Sequence, residues 1–179
     1  RVDFLVPPLS FGSGAPMTSL VGMSIGARNA DRAEEIGWTG AGMSFVLGGV
    51  IGTLLAIFPH VWIPVFTDDP MVYETAKGFI QIVGPCLAIH GVGWALYFAS
   101  QGAGAMRGPV AALIARPIVA IGTAFLLLGP MDMGMTGVFI GAVGGMFAYT
   151  VIVTASMKGG AWRRPVSYTH LTLPTKAQV

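Results

Sequence analysis

Six polar side chains lie inside or directly beside long apolar stretches of this sequence, where an unsatisfied polar group is costly. Polar residues at membrane depth typically line pathways for ions or solutes. These residues are therefore the candidates for a binding or transport pathway. They are Gln81, His90, Tyr97, Gln101, Arg116 and Tyr149.

Several of these residues also have a simpler structural explanation. His90 can form an interhelical hydrogen bond, and Tyr97 can serve in packing. Arg116 lies about 10 Å past the inner end of its stretch, so its long side chain can extend towards lipid headgroups. Pro117 leaves the Leu113 carbonyl without its usual helical donor, and the arginine could bond that carbonyl instead. Both explanations stay open for Arg116.

A nucleophile motif also occurs, because Gly22–Gly26 fits the pattern G-x-S-x-G around Ser24. That chemistry needs a strand–turn–helix elbow and a nearby general base. The only base in an apolar stretch is His90, which lies roughly 13 Å from the inner end of its stretch, against roughly 3 Å for Ser24. This difference in depth argues against a serine dyad.

Other catalytic or cofactor chemistry finds no support in the sequence. His60 and His90 lack metal-ligand spacing, Cys86 is the single cysteine, and no nucleotide-binding fingerprint occurs. Asp68-Asp69-Pro70 is typical of a helix N-cap rather than a cation site. We therefore predict no enzyme, no metal and no cofactor.

The composition indicates a membrane protein. Hydrophobic residues make up 54% of the 179 positions and charged residues only 10%, against about 25% charged in ordinary soluble domains. The mean hydropathy is +0.72. A net charge of +2 is too small for a nucleic-acid partner. We expect an integral membrane protein with the lipid bilayer as a partner.

Five stretches are long enough to cross a bilayer core of roughly 30 Å. The sequence therefore predicts an all-α membrane protein with a transmembrane region over residues 1–164. The predicted spans are residues 4–26, 36–58, 76–99, 109–129 and 133–157. In the third span, Gly84-Pro85 permits a kink. Residues 165–179 resemble a translated sequencing adapter, and we interpret them as a foreign tail.

Glycines at intervals of four residues predict close packing between these helices. The pairs Gly22–Gly26 and Gly48–Gly52 and the series Gly137–Gly141–Gly145 follow this pattern. Such stripes let the backbone of one helix approach another.

The distribution of Lys and Arg predicts the orientation. Six of them fall on one side of a five-span arrangement: Arg28, Arg32, Arg107, Lys158, Arg163 and Arg164. The other side has only Arg1 and Lys77. We expect the first side, and with it the C-terminal end, to be cytoplasmic.

Several segments in this order resemble the multidrug and toxic compound extrusion (MATE) family. They are Pro8–Pro16, Val21–Ala27 followed by Arg32-Ala33, the outer segment Val65–Pro70, and the glycine-rich inner segment Gln101–Gly108. The likeness runs from about residue 1 to residue 164.

The resemblance implies helices eight to twelve of a twelve-helix fold, which is most of one six-helix lobe. It implies secondary efflux of amphipathic, often cationic organic compounds, driven by proton or sodium entry. The missing N-terminal lobe and the small organic substrates would be partners, and a bacterial inner membrane the location. No predicted span contains Asp or Glu, and Leu96 lies near where the family resemblance would place a carboxylate.

Three alternatives remain at this point. A lipid-linked sugar flippase of the same superfamily should have a more charged cavity. An intramembrane serine hydrolase is disfavoured by the depths of Ser24 and His90. A structural membrane subunit has no need for the polar groups of the third span.

Overall fold

The computed structural model describes residues 6–129 and 133–160, with side chains from residue 14 onwards. Within these residues the chain forms seven α-helices and one short 3-10 helix, Ile63–Val65. The α-helices are α1 Val6–Gly26, α2 Ala30–Ile57, α3 Pro59–Trp62, α4 Pro70–Val83, α5 Leu87–Gly102, α6 Arg107–Leu128 and α7 Gly134–Lys158. The predicted foreign tail at 165–179 lies outside the described residues.

The second helix begins before the apolar stretch that starts at Ile36. Asn29, a favoured N-cap residue type, precedes α2, and its side chain accepts a hydrogen bond from the Arg32 amide at 3.0 Å. Asp31 lies in the first turn, where its charge favours the positive end of the helix dipole. An N-cap at Asn29, which its residue type and the following Asp31 favour, is thus confirmed, and residues 30–35 extend the helix beyond the predicted span.

The predicted third span is not one helix. It divides into α4 and α5, which are bent by 65° across Gly84–Cys86. Pro85 has no amide to continue the hydrogen-bond ladder, so the chain turns there instead of kinking mildly. Asp69 caps α4 by accepting hydrogen bonds from the amides of Met71 (2.8 Å) and Val72 (3.5 Å), which confirms its predicted role.

α5 lies at the centre of the bundle and packs against α1, α2 and α7, while α6 packs along α7. Leu96 and Ala99 of α5 are fully buried, as are Val21 of α1 and Tyr149 and Val153 of α7. These residues form one continuous core. Residues of α5 are therefore held by packing against three other helices, which makes α5 the element that can position a functional site.

Large apolar side chains cover the outside of α2 and α6. Their exposure on two continuous helix faces fits contact with lipid rather than with water. On α2 they include Met43, Val46, Leu47, Val50 and Leu54, and on α6 Ile114, Ile118, Ile121, Phe125 and Leu126.

Among the described residues, α2, α6 and α7 are each long and apolar enough to cross a membrane. The bent pair α4–α5 makes a fourth candidate if it counts as one broken span. The fold is that of an all-α membrane protein. α1 has 21 residues but contains Pro16 and several serines, and it is not among the helices that are apolar enough to cross a membrane. The five-span arrangement stays a prediction.

Glycines allow the helix backbones to touch at two seams. On α2, a Cβ at Gly48 would lie 2.6 Å from the Leu87 carbonyl oxygen, and one at Gly52 would overlap the Gly84 carbonyl. On α7, a Cβ at Gly141 would lie 2.6 Å from the Ala120 carbonyl oxygen, and one at Gly145 would lie 2.8 Å from that of Arg116. These close approaches fix α2 against the α4–α5 break and α7 against α6.

The remaining predicted packing glycines differ from one another. Gly137 faces Leu127 of α6, with 3.0 Å between a built Cβ and the leucine Cβ, and Gly22 makes an ordinary contact with Gly102 at 3.4 Å. Gly26 ends α1, and none of the described atoms lies within 4 Å of a Cβ placed there. Within the described residues no packing contact is therefore seen at Gly26, and its packing role stays a prediction.

Gly141→Ala should destabilise the protein by about 1–3 kcal/mol, because the new methyl group meets backbone that has no room to move. Gly122→Ala on α6 is the matched control, since a Cβ there meets no described atom within 4 Å. The control should be neutral or slightly stabilising, as alanine favours helix. Unfolding of the detergent-solubilised protein measures both, and equal stability of the two variants would contradict the seam.

Candidate functional site

Three of the predicted residues lie along one face of α5, together with Trp94. His90, Trp94, Tyr97 and Gln101 are spaced by four, three and four residues, which places them one above another on a helix. Trp94 Nε1 donates a hydrogen bond to His90 Nε2 at 2.9 Å. The Trp94 and Tyr97 rings also meet edge to face, with centroids 5.7 Å apart.

Tyr149 of α7 completes this aromatic cluster. Its ring centroid lies 5.7 Å from that of His90 and 6.1 Å from that of Trp94. Gly93 makes this approach possible, because a Cβ there would come within 2.8 Å of the Tyr149 ring. The next residue, Thr150, donates to the Ile89 carbonyl at 3.1 Å and so ties α7 to α5.

Two buried polar atoms of this cluster have no hydrogen-bond partner among the described residues. They are His90 Nδ1 and the Tyr149 hydroxyl. An unsatisfied buried polar group costs about 1–3 kcal/mol. Such groups at the centre of a packed core are typical of functional positions.

Arg116 lies on α6, and its side chain is partly buried. A Cβ built at Gly145 of α7 would lie 2.8 Å from the Arg116 carbonyl oxygen, so the two helix backbones approach closely one turn before Tyr149. The structure thus brings two predicted residues, His90 and Tyr149, into direct contact and places the Arg116 backbone one helical turn from Tyr149.

A pocket of about 470 Å³ opens beside the cluster, between α1 and α5. Thr18 holds the two helices together by donating to the Phe98 carbonyl at 3.1 Å. The described residues that line the pocket are all uncharged: Ala15, Thr18, Ser19, Phe98 and Gln101. Gln101 therefore belongs to this pocket, and Phe98 joins the pocket to the aromatic cluster through its contact with Trp94 at 6.1 Å.

Gln81 does not join the other candidates. It is exposed on α4, before the break that turns the chain into α5. Its predicted place beside His90 requires one continuous helix through both residues. The 65° bend separates the directions of the two helices.

Three residues of the site are not predicted from the sequence: Trp94, Phe98 and Thr150. Trp94 had a usable signal, because it follows His90 by four residues and so lies on the same helix face. Thr150 has no comparable signal, since its partner is a backbone carbonyl 61 residues away in sequence. Such a contact depends on how α7 is placed against α5.

The geometry contradicts a serine hydrolase. Ser24 Oγ donates to the Leu20 carbonyl of its own helix at 2.9 Å, while His90 Nε2 is occupied by the Trp94 indole. No group of three or more His, Cys, Asp or Glu side chains within the described ranges could hold a metal ion.

A helical bundle with lipid-facing outer helices and an inner polar and aromatic face defines a class of protein, the polytopic α-helical membrane proteins. The comparisons with known proteins make this class specific. The sequence model of the MatE family matches residues 1–126. The chain therefore belongs to the MatE family of integral membrane proteins, which excludes the serine hydrolase.

Three curated relatives are similar over nearly the whole chain. The probable multidrug resistance protein NorM of Thermotoga maritima is 23% identical over 169 residues, covering 92% of this chain and 36% of the relative. Protein DETOXIFICATION 36 of Arabidopsis thaliana is 25% identical, covering 88% of this chain and 32% of the relative. Protein DETOXIFICATION 37 of the same plant is also 25% identical, covering 92% of this chain and 32% of the relative.

The chain spans about a third of the length of these relatives. No solved structure matches it.

Trp94→Phe should destabilise the protein by about 1–3 kcal/mol, because it keeps an aromatic ring but leaves His90 Nε2 buried without its donor. Trp62→Phe serves as the control, since Trp62 is 49% exposed on the short helix α3. Thermal unfolding in detergent compares the two variants. A Trp94 variant as stable as the control would show that the indole hydrogen bond contributes nothing.

Proposed function

We propose that this chain forms most of one lobe of a secondary efflux transporter for amphipathic, often cationic organic compounds. Family membership and the names of the relatives, a probable multidrug resistance protein and two DETOXIFICATION proteins, support this proposal. Alternating access between two lobes is the mechanism expected of such a transporter. The rest of the protein would supply the opposing wall of the cavity.

The observation that supports this function most strongly is the pocket between α1 and α5. It opens between α1 and the central helix α5, and none of the described residues that line it is charged. Ser19 and Gln101 offer hydrogen-bonding groups, and Phe98 offers an aromatic ring. A flat, amphipathic organic compound needs this combination of apolar area and few polar contacts.

An organic cation is compatible with this pocket. None of the described residues that line it carries a positive charge, and aromatic rings attract cations through their negative faces. A flippase for lipid-linked sugars would be expected to have a more charged cavity, so the lining favours drug-like substrates.

We further propose that proton or sodium entry drives export and that the coupling carboxylates belong to the remainder of the transporter. The acidic residues of the described part lie in connecting segments or within the first two turns of a helix. They are Asp31, Glu34, Glu35, Asp68, Asp69 and Glu74. None of them belongs to α5 or α7, the two helices that form the aromatic cluster.

The proposal includes an orientation and a location. Arg28, Arg32, Arg107 and Lys158 lie at the helix ends that we assign to the cytoplasmic side of a bacterial inner membrane. Lys158 also packs over the Trp38 ring at 5.8 Å, which ties the ends of α7 and α2 together at this side.

Filling the pocket should abolish export. Ser19→Trp places a large ring in the pocket from an exposed position of α1 and leaves the core unchanged. In everted vesicles that contain the complete transporter, this variant should lose energy-dependent transport of ethidium while keeping normal membrane levels. Met43→Trp, at a position of α2 that is 65% exposed, is the control and should transport normally.

Unchanged ethidium transport by the Ser19 variant would contradict a role for the pocket. Absence of any gradient-driven dye transport by the parental protein would contradict the efflux function itself.

Labelling of single cysteines should show the orientation. With Cys86 replaced by serine, a cysteine at Asp68 should react with a membrane-impermeant maleimide in intact cells. A cysteine at Arg28 should react only after permeabilisation, because the positively charged side faces the cytoplasm. The opposite pattern would reverse the proposed topology.

A further inference from the structure

Thr18 connects α1 to the central helix α5 through a hydroxyl group that has two acceptors. Its Oγ1 lies 3.1 Å from the Gly14 carbonyl oxygen, one turn earlier in α1, and 3.1 Å from the Phe98 carbonyl oxygen of α5. A hydroxyl has one proton to donate. That proton is therefore shared between a carbonyl of its own helix and a carbonyl of the neighbouring helix.

The acceptor within α1 makes this connection easy to release. An interhelical hydrogen bond normally resists separation, because breaking it leaves a buried donor without an acceptor. When α1 moves away from Phe98, the Thr18 hydroxyl keeps the Gly14 carbonyl as its acceptor. The Phe98 carbonyl keeps its own helical donor, since α5 continues to Gly102. Separation at this point thus leaves neither group unsatisfied.

Two further contacts of α1 consist of packing alone. The Thr18 carbonyl lies against Gly102 of α5, and the Met17 side chain fills the space over Gly40 of α2. A flexible thioether adapts to small shifts of its neighbours. A bound compound can also replace dispersion contacts with its own. The contacts of α1 with α2 and α5 are therefore adjustable.

The contact between α2 and α5 is of a different kind, because backbone meets backbone. A Cβ at Gly48 would lie 2.6 Å from the Leu87 carbonyl oxygen, and one at Gly91 would lie 2.7 Å from the Ser44 carbonyl oxygen. Such seams depend on one close fit of two helices. We therefore treat α2 and α5 as one unit, against which α1 can move.

Thr150 of α7 has the same two kinds of acceptor as Thr18. Its Oγ1 lies 3.0 Å from the Met146 carbonyl oxygen and 3.1 Å from the Ile89 carbonyl oxygen of α5. There, however, the neighbouring Tyr149 ring packs against α5 with its centroid 5.7 Å from that of His90. The pocket lies at the contact of α1 instead. Release of a threonine therefore changes a cavity at α1.

We infer that a movement of α1 opens and closes the pocket between α1 and α5, and that Thr18 is the contact released in this movement. In the closed arrangement the hydroxyl is shared with Phe98, and in the open arrangement it donates to Gly14 alone. A compound bound between Ser19 and Gln101 contacts both helices and so favours the wider, open arrangement. The class of compound is taken from the proposed efflux function, on which this regulation of the pocket rests.

Distances between pairs of spin labels, measured by electron paramagnetic resonance, test this movement in the complete transporter with Cys86 and all other cysteines replaced. Labels at Leu20 of α1 and Val50 of α2, which are 45% and 54% exposed, measure α1 against the unit of α2 and α5. Tetraphenylphosphonium, an aromatic organic cation, should shift this distance by several ångströms. Labels at Ile118 of α6 and Val151 of α7 are the control and should keep one distance, since a glycine seam joins these helices.

Thr18→Val keeps the shape of the side chain but removes its proton. Both arrangements then lose the bond to the Thr18 helix itself, but only the closed one also loses the bond to Phe98. Without ligand, the open fraction of the Leu20–Val50 distances should therefore rise about two- to tenfold. Thr18→Ser should keep the parental distribution. Thr53→Val, at an exposed position of α2, is the matched control and should keep it as well.

The inference is overturned if tetraphenylphosphonium leaves the Leu20–Val50 distance unchanged, if the control pair shifts equally, or if Thr18→Val has the parental distribution. The Thr18 comparison needs no ligand, so it is valid whatever the transporter exports. A ligand-dependent shift without gradient-driven export would contradict the efflux function alone. Export without any shift would contradict the movement of α1 alone.

Discussion

The backbone of α5 lies directly against the backbones of α1 and α2, and the rest of the bundle depends on how closely it can approach them. Lipid tails are as apolar as the side chains that they surround, so helices in a membrane associate through close packing more than through hydrophobic burial. Glycine provides that closeness at three points. Gly48 faces the Leu87 carbonyl, Gly91 faces the Ser44 carbonyl at 2.7 Å from a built Cβ, and Gly102 faces Thr18.

The position of α5 determines the site. Because α5 is held from one side by α1 and α2, its other side can present His90 and Trp94 to α7, where Gly93 leaves room for the Tyr149 ring. The break at Gly84–Cys86 frees α5 from the direction of α4, so that the helix can run through the centre of the bundle. The polar and aromatic face and the pocket beside it both follow from this placement.

The sequence predicted local features well because their causes are local. Asn29 and Asp69 cap the helices that follow them, and Pro85 marks the place where a helix cannot continue. The size of the bend could not be predicted, since it depends on Gly52 packing against Gly84 across two helices. The same limit explains the missed Thr150 contact and the misplaced Gln81, both of which depend on tertiary placement.

The contact between α2 and α5 fixes the position of the central helix, and disulfide cross-linking in native membranes tests it most directly. A Cβ built at Gly49 lies 3.3 Å from the Ala88 Cβ, close to the separation of about 3.5–4.5 Å that a disulfide requires. With Cys86 replaced by serine, cysteines at Gly49 and Ala88 should cross-link rapidly under mild oxidation. Cysteines at Gly42 and Ala88 should not, because no described atom lies within 4 Å of a Cβ at Gly42. Equal cross-linking of the two pairs, or none for the first, would contradict the central position of α5.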